Sequence, residues 1–370
     1  MEKEDKSITL ICSNYAWTIV NFRLPLIKEL KKNGHKVIVV TQYDGYEKEI
    51  IEHVDQVQPL FISRKGINPF VDIITIFNLA KIFIKFKPDQ LLLFTIKPVI
   101  YGAIVAKFFK IKTIVSITGL GTSFISKNWL TGFVKFLYRF SLSSVKTVFF
   151  QNNDDKDLFL QQKLVKSKVC KLIPGSGIDT NQFSYSLMPV NKEITFILIA
   201  RMLWDKGIGE YVEAAKLIKI HYPDTKFQLL GPLGVENRTA ISKEQMAIWV
   251  EEGFIEYMGE TRDVTKFIKT ASCVVLPSYR EGTSRVLLEA ASIGRPIIAS
   301  DVPGCREVVE DKITGLLCNP KDCYDLSEKI KTIINKTPEN LEIMGIKGRH
   351  KIERQFNHKI VNNIYLDEIN

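Results

Sequence analysis

Short apolar runs rich in β-branched residues alternate with longer segments of helical period along the first half of the chain. A strand buried on both faces is continuously apolar, whereas a helix repeats its apolar positions every three to four residues. The pattern predicts strands at 8–12, 36–41, 90–95, 112–117, 147–151 and 168–173, with helices between them. Strands alternating with helices in this way indicate βαβ units and a parallel sheet.

The alternation stops at 174–181, a stretch with two glycines and a proline, and resumes near residue 193. The second half predicts strands at 193–200, 226–231, 255–258, 273–276, 296–300 and 315–318, and helices at 206–222, near 243–252 and from 284. Helices at 324–334, 339–355 and 359–369 follow without a strand between them. We therefore predict an α/β protein with one domain at 1–175, a linker at 176–192, a second domain at 193–355 and a last helix, 356–370, packing back on the first domain.

The length of 370 residues with 45% apolar composition agrees with two domains, because a single core stops growing at roughly 250–300 residues. We expect two doubly wound, Rossmann-like domains that face a cleft. The six cysteines form no CxxC pair and are interpreted as reduced thiols, which favours the cytoplasm. Residues 1–7 are charged and lack the apolar core of a signal peptide.

The net charge of +10 is concentrated in the first half, where residues 1–173 contain 26 Lys and Arg against 14 Asp and Glu. Residues 58–150 contain 13 basic residues, and their only acidic residues are Asp72 and Asp89. Aromatic and basic residues are interleaved at 81–87 and 127–140, which suits an anionic membrane surface. Ordinary core-facing helices with solvated lysines explain the pattern equally well. Nucleic-acid binding ranks well below both, because no RNA- or DNA-binding signature is present.

In doubly wound sheets ligands bind beyond the carboxyl ends of the strands, so the turns that follow strands are the candidate sites. The first such turn, predicted at 13–17, contains Ser13 and Asn14 and lacks the GxGxxG glycines of a dinucleotide site. No other predicted strand is followed by that glycine spacing, which lowers the expectation of an NAD or FAD enzyme.

The turn after the first strand of the second domain contains Arg201 and Lys206. A guanidinium at a strand end and an ammonium at the start of the next helix together suit a diphosphate. Two ordinary surface cations are the alternative interpretation.

The segment from Pro277 to Ser284 follows another predicted strand and precedes a helix. Its glycine and small hydroxyl residues leave room for an anion beside the N–H groups of a helix N-terminus. Glu281 lies in this turn, and Glu289 lies two helical turns further on, so both carboxylates could meet one extended ligand. For Glu289 the alternative is a solvated helix glutamate.

Several segments together resemble the group 1 family of retaining GT-B glycosyltransferases. The most specific is Glu281-Gly-Thr-Ser-Arg-Val-Leu-Leu-Glu289, which matches the family's E-x7-E element. It is accompanied, in the family's order, by Arg201…Lys206-Gly207, Gly259-Glu-Thr-Arg-Asp263, Asp301-Val-Pro-Gly-Cys-Arg-Glu307 and Gly315-Leu-Leu. The resemblance covers nearly the whole chain.

The resemblance implies that the second domain binds a nucleotide-sugar donor and the first an acceptor. It implies catalytic roles for Arg201 and Lys206 at the diphosphate and for Glu281 at the transferred sugar. The implied donor-binding residues are Glu289 at the ribose, the N–H groups of Gly282, Thr283 and Ser284, Met258 and Gly259 at the base, and Ser13, Asn14, Thr118 and Gly119 in the first domain. No metal and no cofactor are implied.

Within the family, segments 21–23, 118–121 and 200–207 look most like transferases that extend sugars on undecaprenyl diphosphate. The implied partners are a UDP-sugar, with an N-acetylhexosamine expected, a polyprenyl-diphosphate-linked saccharide and the anionic inner leaflet of the membrane, with no nucleic acid. The implied location is the cytoplasm, peripherally at the inner membrane.

The chain departs from the family in having no Gly-Gly after the first strand and no histidine at segment 118–121, so no histidine is assigned a catalytic role. An epimerase or hydrolase of the same architecture and a non-catalytic membrane-docking scaffold are the rival hypotheses.

Overall fold

The computed structural model describes residues 6–63, 69–119, 129–189 and 193–369. The chain divides into two compact units: unit 1 is Met1–Gly177 with His358–Asn370, and unit 2 is Ile178–Asn357. The first crossing between units therefore falls inside the predicted linker, 176–192. The last helix belongs to unit 1.

Unit 1 contains a parallel sheet with the order β3-β2-β1-β4-β5-β6-β7 in the part of the chain that is described. Its strands are β1 (Ile8–Tyr15), β2 (Lys36–Gln42), β3 (Gln56–Pro59), β4 (Gln90–Phe94), β5 (Lys112–Ile117), β6 (Thr147–Phe150) and β7 (Cys170–Leu172). Its helices are α1 (Ala16–Phe22), α2 (Leu24–Lys32), α3 (Glu47–Ile51), α4 (Pro69–Phe86), α5 (Ala103–Phe109), α6 (Trp129–Ser141), α7 (Asn153–Gln161) and, after unit 2, α14 (His358–Ile369).

Helices cover both faces of this sheet, because alternate residues of its central strands enter different cores. Leu10 packs in the core that contains residues of α4, α5 and α6, whereas Ile11 packs in the core that contains residues of α1, α2 and α14. Two buried faces explain why the central strands are continuously apolar.

Two details of unit 1 differ from the sequence prediction. The first strand continues to Tyr15, with a shift in pairing register after Cys12, and α1 begins at once, so the predicted turn at 13–17 is wrong. The peptide of Asn14 is held in place because its N–H donates to Oγ1 of Thr95, 3.1 Å away. Strand β3 was not predicted, because this partly exposed edge strand has the sequence Gln-Val-Gln-Pro and no apolar run.

Unit 2 contains a second parallel sheet, with the order β10-β9-β8-β11-β12-β13 among its described residues. Its strands are β8 (Thr195–Ile199), β9 (Lys226–Leu230), β10 (Glu256–Tyr257), β11 (Cys273–Leu276), β12 (Ile297–Ser300) and β13 (Gly315–Cys318). Its helices are α8 (Ile208–Lys219), α9 (Lys243–Glu251), α10 (Thr265–Thr270), α11 (Arg285–Ile293), α12 (Cys323–Ile334) and α13 (Pro338–Gln355). The prediction of two doubly wound parallel-sheet units is confirmed.

Much of the predicted linker is bound to unit 2 by two arginines. Arg295 is fully buried, and its guanidinium donates to the carbonyl oxygens of Ser186 and Leu187 at 3.0 and 2.7 Å. Arg349 donates to the carbonyl oxygens of Thr180 and Phe183 at 3.0 and 2.8 Å. Since buried carbonyl groups need donors, these bonds fasten the segment to unit 2.

Helix α14 completes unit 1 by covering its second core. The ring of Tyr365 packs edge-on against Phe94 and Phe149, and its hydroxyl lies 2.5 Å from Oγ of Ser116. At the end of the helix, Glu368 forms an ion pair with Lys171. The helix therefore contributes apolar and polar contacts to unit 1.

The described helices include none with the length and hydropathy needed to cross a bilayer. All six cysteines are free thiols, and four of them are buried. Among residues 6–63, 69–119, 129–189 and 193–369, no three His, Cys, Asp or Glu side chains are grouped as metal ligands would be.

A buried histidine in unit 1 makes stability depend on pH. Burial lowers the pKa of His35 below its ordinary value of 6.5, although Asp89 partly opposes the shift. Near and below pH about 6.5 the unfolded chain binds a proton at this imidazole more tightly than the folded chain does, so stability falls as pH falls. We expect the free energy of unfolding in urea to decrease from pH 7 to pH 5, and His35→Gln to reduce that decrease. If the unfolding free energy falls equally between pH 7 and pH 5 in His35→Gln and in the exposed control His221→Gln, His35 is not the origin of this pH dependence.

Candidate functional site

The candidate site lies where the order of strands in unit 2 reverses. From β8 the chain proceeds to β9 and β10 on one side, and it returns to β11 on the other side of β8. The loops after β8 and β11 therefore leave neighbouring strands at the carboxyl edge of the sheet. Such a switch point is where doubly wound folds bind ligands.

Lys206 and Glu281, one from each of these loops, form an ion pair. The ammonium of Lys206 donates a hydrogen bond to Oε1 of Glu281, and the two side chains are only 20% and 15% exposed. Lys206 ends a short 3₁₀ turn, Trp204–Lys206, and lies before α8, not at its start as predicted. The structure thus brings two of the predicted catalytic residues together at the switch point.

The Lys206 loop is fastened to the loop after β11 through its backbone. The backbone carbonyl oxygen of Asp205 accepts from the N–H of Tyr279 at 2.9 Å and from the buried Ser278 hydroxyl at 3.2 Å. Gly207 has φ of +73°, and a Cβ there would lie 2.1 Å from the carbonyl oxygen of Pro277. Only glycine satisfies both the positive φ and the close approach.

The loop after β12 supports the turn that carries Glu281. The carbonyl oxygen of Pro303 accepts from the N–H of Glu281 at 3.1 Å, and that of Gly304 accepts from the N–H of Ser284 at 3.0 Å. The Ser284 N–H is therefore already bonded to Gly304, and its contribution to anion binding stays a prediction. Gly282 lies in the same turn, with its carbonyl oxygen against Gly304.

The N-terminus of α11 adjoins this turn. Ser284 is its N-cap residue but makes no capping hydrogen bond with its side chain. The N–H groups of a helix's first turn have no partner within the helix. Oγ1 of Thr283 is buried and has no hydrogen-bond partner in the described part of the chain. An oxyanion at this position would find both helix and hydroxyl donors.

Glu289 has its own cation. Its carboxylate accepts from Nε of Arg285, one helical turn earlier, at 2.9 Å, and the side chain is 12% exposed. Burial raises its pKa, and Arg285 opposes that shift. The two glutamates of the E-x7-E element therefore pair with different cations. That one extended ligand contacts both glutamates stays a prediction.

Two other predicted contributions to the unit 2 site lie in loops at the same sheet edge. Arg201 is exposed just after β8, and its guanidinium has no hydrogen-bond or ion-pair partner among the described residues. Met258 is exposed after β10, and the carbonyl oxygen of Gly259 accepts from the N–H of Gly231 at 2.7 Å. Gly231 in turn lies against the carbonyl of Ala200, where a Cβ would approach to 1.9 Å. The loops after β8, β9 and β10 are therefore contiguous.

The predicted residues of unit 1 lie at the carboxyl ends of β1 and β5. Ser13 is fully buried, and its hydroxyl lies 2.6 Å from that of Thr18. Oδ1 of Asn14 is buried without a hydrogen-bond partner among the described residues. Thr118 and Gly119 are partly exposed after β5, while residues 120 and 121 of the same segment lie outside the described residues.

The sequence prediction assigned no role to two features of the site. Gly304 has φ of +83° and no room for a Cβ, and its N–H donates to the carboxylate of Glu307 at 2.6 Å. Both residues belong to segment 301–307, which matched the family pattern. A glycine inside a segment that matches the family pattern was the sequence signal that could have identified Gly304 and Glu307 as part of the site.

Two family models match the chain in succession: "Glycosyl transferase 4-like" at residues 9–152 and "Glycosyl transferases group 1" at residues 181–351. Both halves of the chain are therefore similar to glycosyltransferases, and the second half is similar to the group 1 family. The predicted GT-B fold is confirmed by the similarity to Anabaena HepE in complex with UDP-glucose, which has a TM-score of 0.80 and 15% identity and covers 98% of this chain and 99% of that one.

Two relatives of known activity are similar over most of their length. The N,N'-diacetylbacillosaminyl-diphospho-undecaprenol alpha-1,3-N-acetylgalactosaminyltransferase of Campylobacter jejuni is 28% identical over 94% of both chains. The UDP-Gal:alpha-D-GlcNAc-diphosphoundecaprenol alpha-1,3-galactosyltransferase of Escherichia coli is 24% identical over 82% of this chain and 81% of its own length.

Proposed function

We propose that the protein transfers an N-acetylhexosamine from a UDP-sugar to a saccharide linked to undecaprenyl diphosphate, in the synthesis of a bacterial surface glycan. The observation that carries the proposal is the Lys206–Glu281 ion pair at the switch point of unit 2, beside the uncapped N-terminus of α11. The names of the two relatives support the class of acceptor and, in the Campylobacter protein, an N-acetylhexosamine as the transferred sugar.

In this proposal the charges of unit 2 hold the donor. Lys206 shares its ammonium between Glu281 and the diphosphate, and the exposed guanidinium of Arg201 supplies a second cation. Glu289 accepts from the ribose hydroxyls, and Met258 and Gly259 line the base. Because two cations and a helix N-terminus balance the diphosphate charge, the reaction needs no metal.

The proposed chemistry is front-face transfer with retention of the anomeric configuration. The bond from the anomeric carbon to UDP breaks, and the acceptor oxygen forms its bond on the same face of the sugar. The acceptor proton passes to an oxygen of the departing diphosphate. Lys206 and Arg201 stabilise the negative charge that develops on that diphosphate.

A lipid-borne acceptor places the reaction at a membrane surface. We therefore propose that the protein is peripheral, at the cytoplasmic side of the inner membrane. The excess of basic residues in 1–173 supports contact with anionic lipid.

A donor screen tests the proposed function. UDP-GalNAc, UDP-GlcNAc, UDP-galactose and UDP-glucose are each incubated with and without a polyprenyl-diphosphate-linked saccharide, with EDTA throughout. We expect transfer from an N-acetylhexosamine donor only when the acceptor is present, and an unchanged anomeric configuration by NMR. A product formed without acceptor would identify an epimerase or hydrolase, and no product from any donor would favour a scaffold.

A further inference from the structure

The outward sides of α4, α5 and α6 in unit 1 carry large apolar side chains in contact with solvent. Phe70 and Phe77 of α4 are 81% and 64% exposed, Phe108 of α5 is 75% exposed, and Phe136 of α6 is 62% exposed. We call this surface the apolar face; its further exposed members are Ile73, Ile74, Ile84, Phe109, Phe133 and Phe140. Few soluble surfaces expose so many large apolar groups together.

Helix α4 shows that this exposure is systematic. Its exposed apolar residues at 70, 73, 74, 77 and 84 follow one helical stripe, interrupted only by exposed polar residues such as Lys81. Its buried residues, Leu79, Ile82 and Phe83, follow the opposite stripe and pack on the sheet. A helix that is apolar on both sides needs a second apolar environment.

The three helices form one continuous layer. Their inner residues share a single core on one face of the sheet. The ring centroids of Phe83, on α4, and Phe109, on α5, lie 6.5 Å apart. The ammonium of Lys107, on α5, lies 4.3 Å from the centre of the Phe140 ring of α6. The apolar face is therefore one surface and not three separate patches.

The charges around the apolar face are of one sign. The helices carry Lys81, Lys85, Lys107, Lys135 and Arg139. Their single acidic residue, Asp72, is buried and paired with Lys97 at 2.8 Å, so it does not offset the cations. Long basic side chains beside exposed aromatic rings suit lipid headgroups above acyl chains.

We propose that the apolar face is the surface through which the protein docks on an anionic lipid bilayer. The charge pattern fits anionic headgroups, and the choice of a bilayer over a protein partner rests on the proposed lipid-linked acceptor. Aromatic and aliphatic groups would enter the headgroup boundary while the cations contact phosphates.

Vesicle sedimentation tests this surface. We expect wild-type protein to bind vesicles of phosphatidylethanolamine with phosphatidylglycerol more tightly than vesicles of phosphatidylcholine. The triple variant Phe70→Ser, Phe77→Ser, Phe136→Ser should bind the anionic vesicles about tenfold or more weakly. A matched control, Ile220→Ser, Ile248→Ser, Ile343→Ser, removes exposed apolar groups of unit 2 and should bind as wild type does.

Transfer to a water-soluble, short-chain acceptor separates docking from catalysis. We expect the apolar-face variant to keep wild-type kcat on that acceptor. If wild type shows no transfer while its vesicle binding depends on the apolar face, the proposed function fails and the docking surface stands. Equal vesicle binding by the triple variant and wild type, or association of two copies through this face, would overturn the docking proposal.

A separate observation concerns the turn that carries Glu281. The carboxylate of Glu307 accepts the N–H of Gly304, whose own carbonyl accepts the N–H of Ser284. Gly304 fits so closely that a Cβ would lie 2.5 Å from the carbonyl oxygen of Gly282. Movement of Gly304 would therefore move the turn.

We infer that Glu307 is a positioning residue, which holds the Glu281 turn through Gly304; this role rests on the proposed function. Glu307→Ala should lower kcat and weaken UDP binding about tenfold. Glu307→Gln should restore both to near wild type, because an amide oxygen still accepts the Gly304 N–H. The exposed control Glu310→Ala should change neither.

The thermal midpoints of the three variants separate positioning from folding. UDP affinity, measured by calorimetry, needs no acceptor and so tests the role of Glu307 even if wild type transfers no sugar. A Glu307→Gln variant as impaired as Glu307→Ala, or a Glu307→Ala variant with wild-type kcat and UDP affinity, would overturn this role.

Discussion

Lys206→Ala is expected to lower kcat by a factor of about 10²–10³ at saturating donor. Loss of one preorganised donor to a developing negative charge costs about 2.7–4 kcal/mol of transition-state stabilisation. Lys206 fits that role because it is mostly buried, which strengthens its field, and because Glu281 holds its ammonium beside the N-terminus of α11. Steady-state kinetics with the preferred donor of the screen measure the effect.

Controls separate the charge of Lys206 from its structural pairing. The exposed Lys243→Ala should leave kcat unchanged. Lys206→Ala also leaves Glu281 without its cation, so the double variant with Glu281→Gln removes that unpaired charge. If the double variant recovers near-wild-type turnover, Lys206 serves only to balance Glu281, and the proposed diphosphate role is wrong.

Gly207→Ala is expected to reduce kcat at least tenfold although no side chain of the site changes. The added methyl would lie 2.1 Å from the carbonyl oxygen of Pro277, so the loop that carries Lys206 must move away from the loop that carries Glu281. Misplacing a catalytic group by about 1 Å can cost about 10²-fold in rate.

The matched control for this variant is Gly253→Ala. Gly253 has φ of +76°, close to the +73° of Gly207, but a Cβ there has no neighbour within 4 Å. Gly253→Ala should lose about 1–2 kcal/mol of unfolding free energy, measured in urea, because of its left-handed backbone. Gly207→Ala should lose more than Gly253→Ala, because the clash with Pro277 adds to the same backbone cost. Only Gly207→Ala should lose activity; if the two lose activity equally, the close approach to Pro277 has no catalytic role.

The strands of both central sheets were predictable because they are buried on two faces. Short, continuously apolar runs such as those of β4 and β11 are typical of strands covered on both faces. The edge strand β3 was not predictable in this way, because its partly exposed residues carry no apolar pattern. The extension of β1 to Tyr15 depends on pairing with Gln42 of β2, which is 27 residues away in the sequence.

In the site, the residue types were predictable and their partners were not. Glu281 and Lys206 were identified as candidates from their turns and from the family motif, but only the neighbouring positions of β8 and β11 pair them. Arg285 was not foreseen as the partner of Glu289, although the two lie four residues apart on α11. The role of Gly304 depends on a backbone contact between the loops after β11 and β12, and no local sequence pattern predicts that contact.

Taken by itself, the sequence determined two parallel-sheet units, their approximate division and the turns that carry charge, because these follow from periodicity and composition. Tertiary structure decided which of these turns are neighbours, which side chains pair across them and which apolar side chains stay exposed. Those properties arise from contacts between residues far apart in the chain. The Lys206–Glu281 pair and the joining of three helices into one apolar face therefore became visible only in the folded molecule.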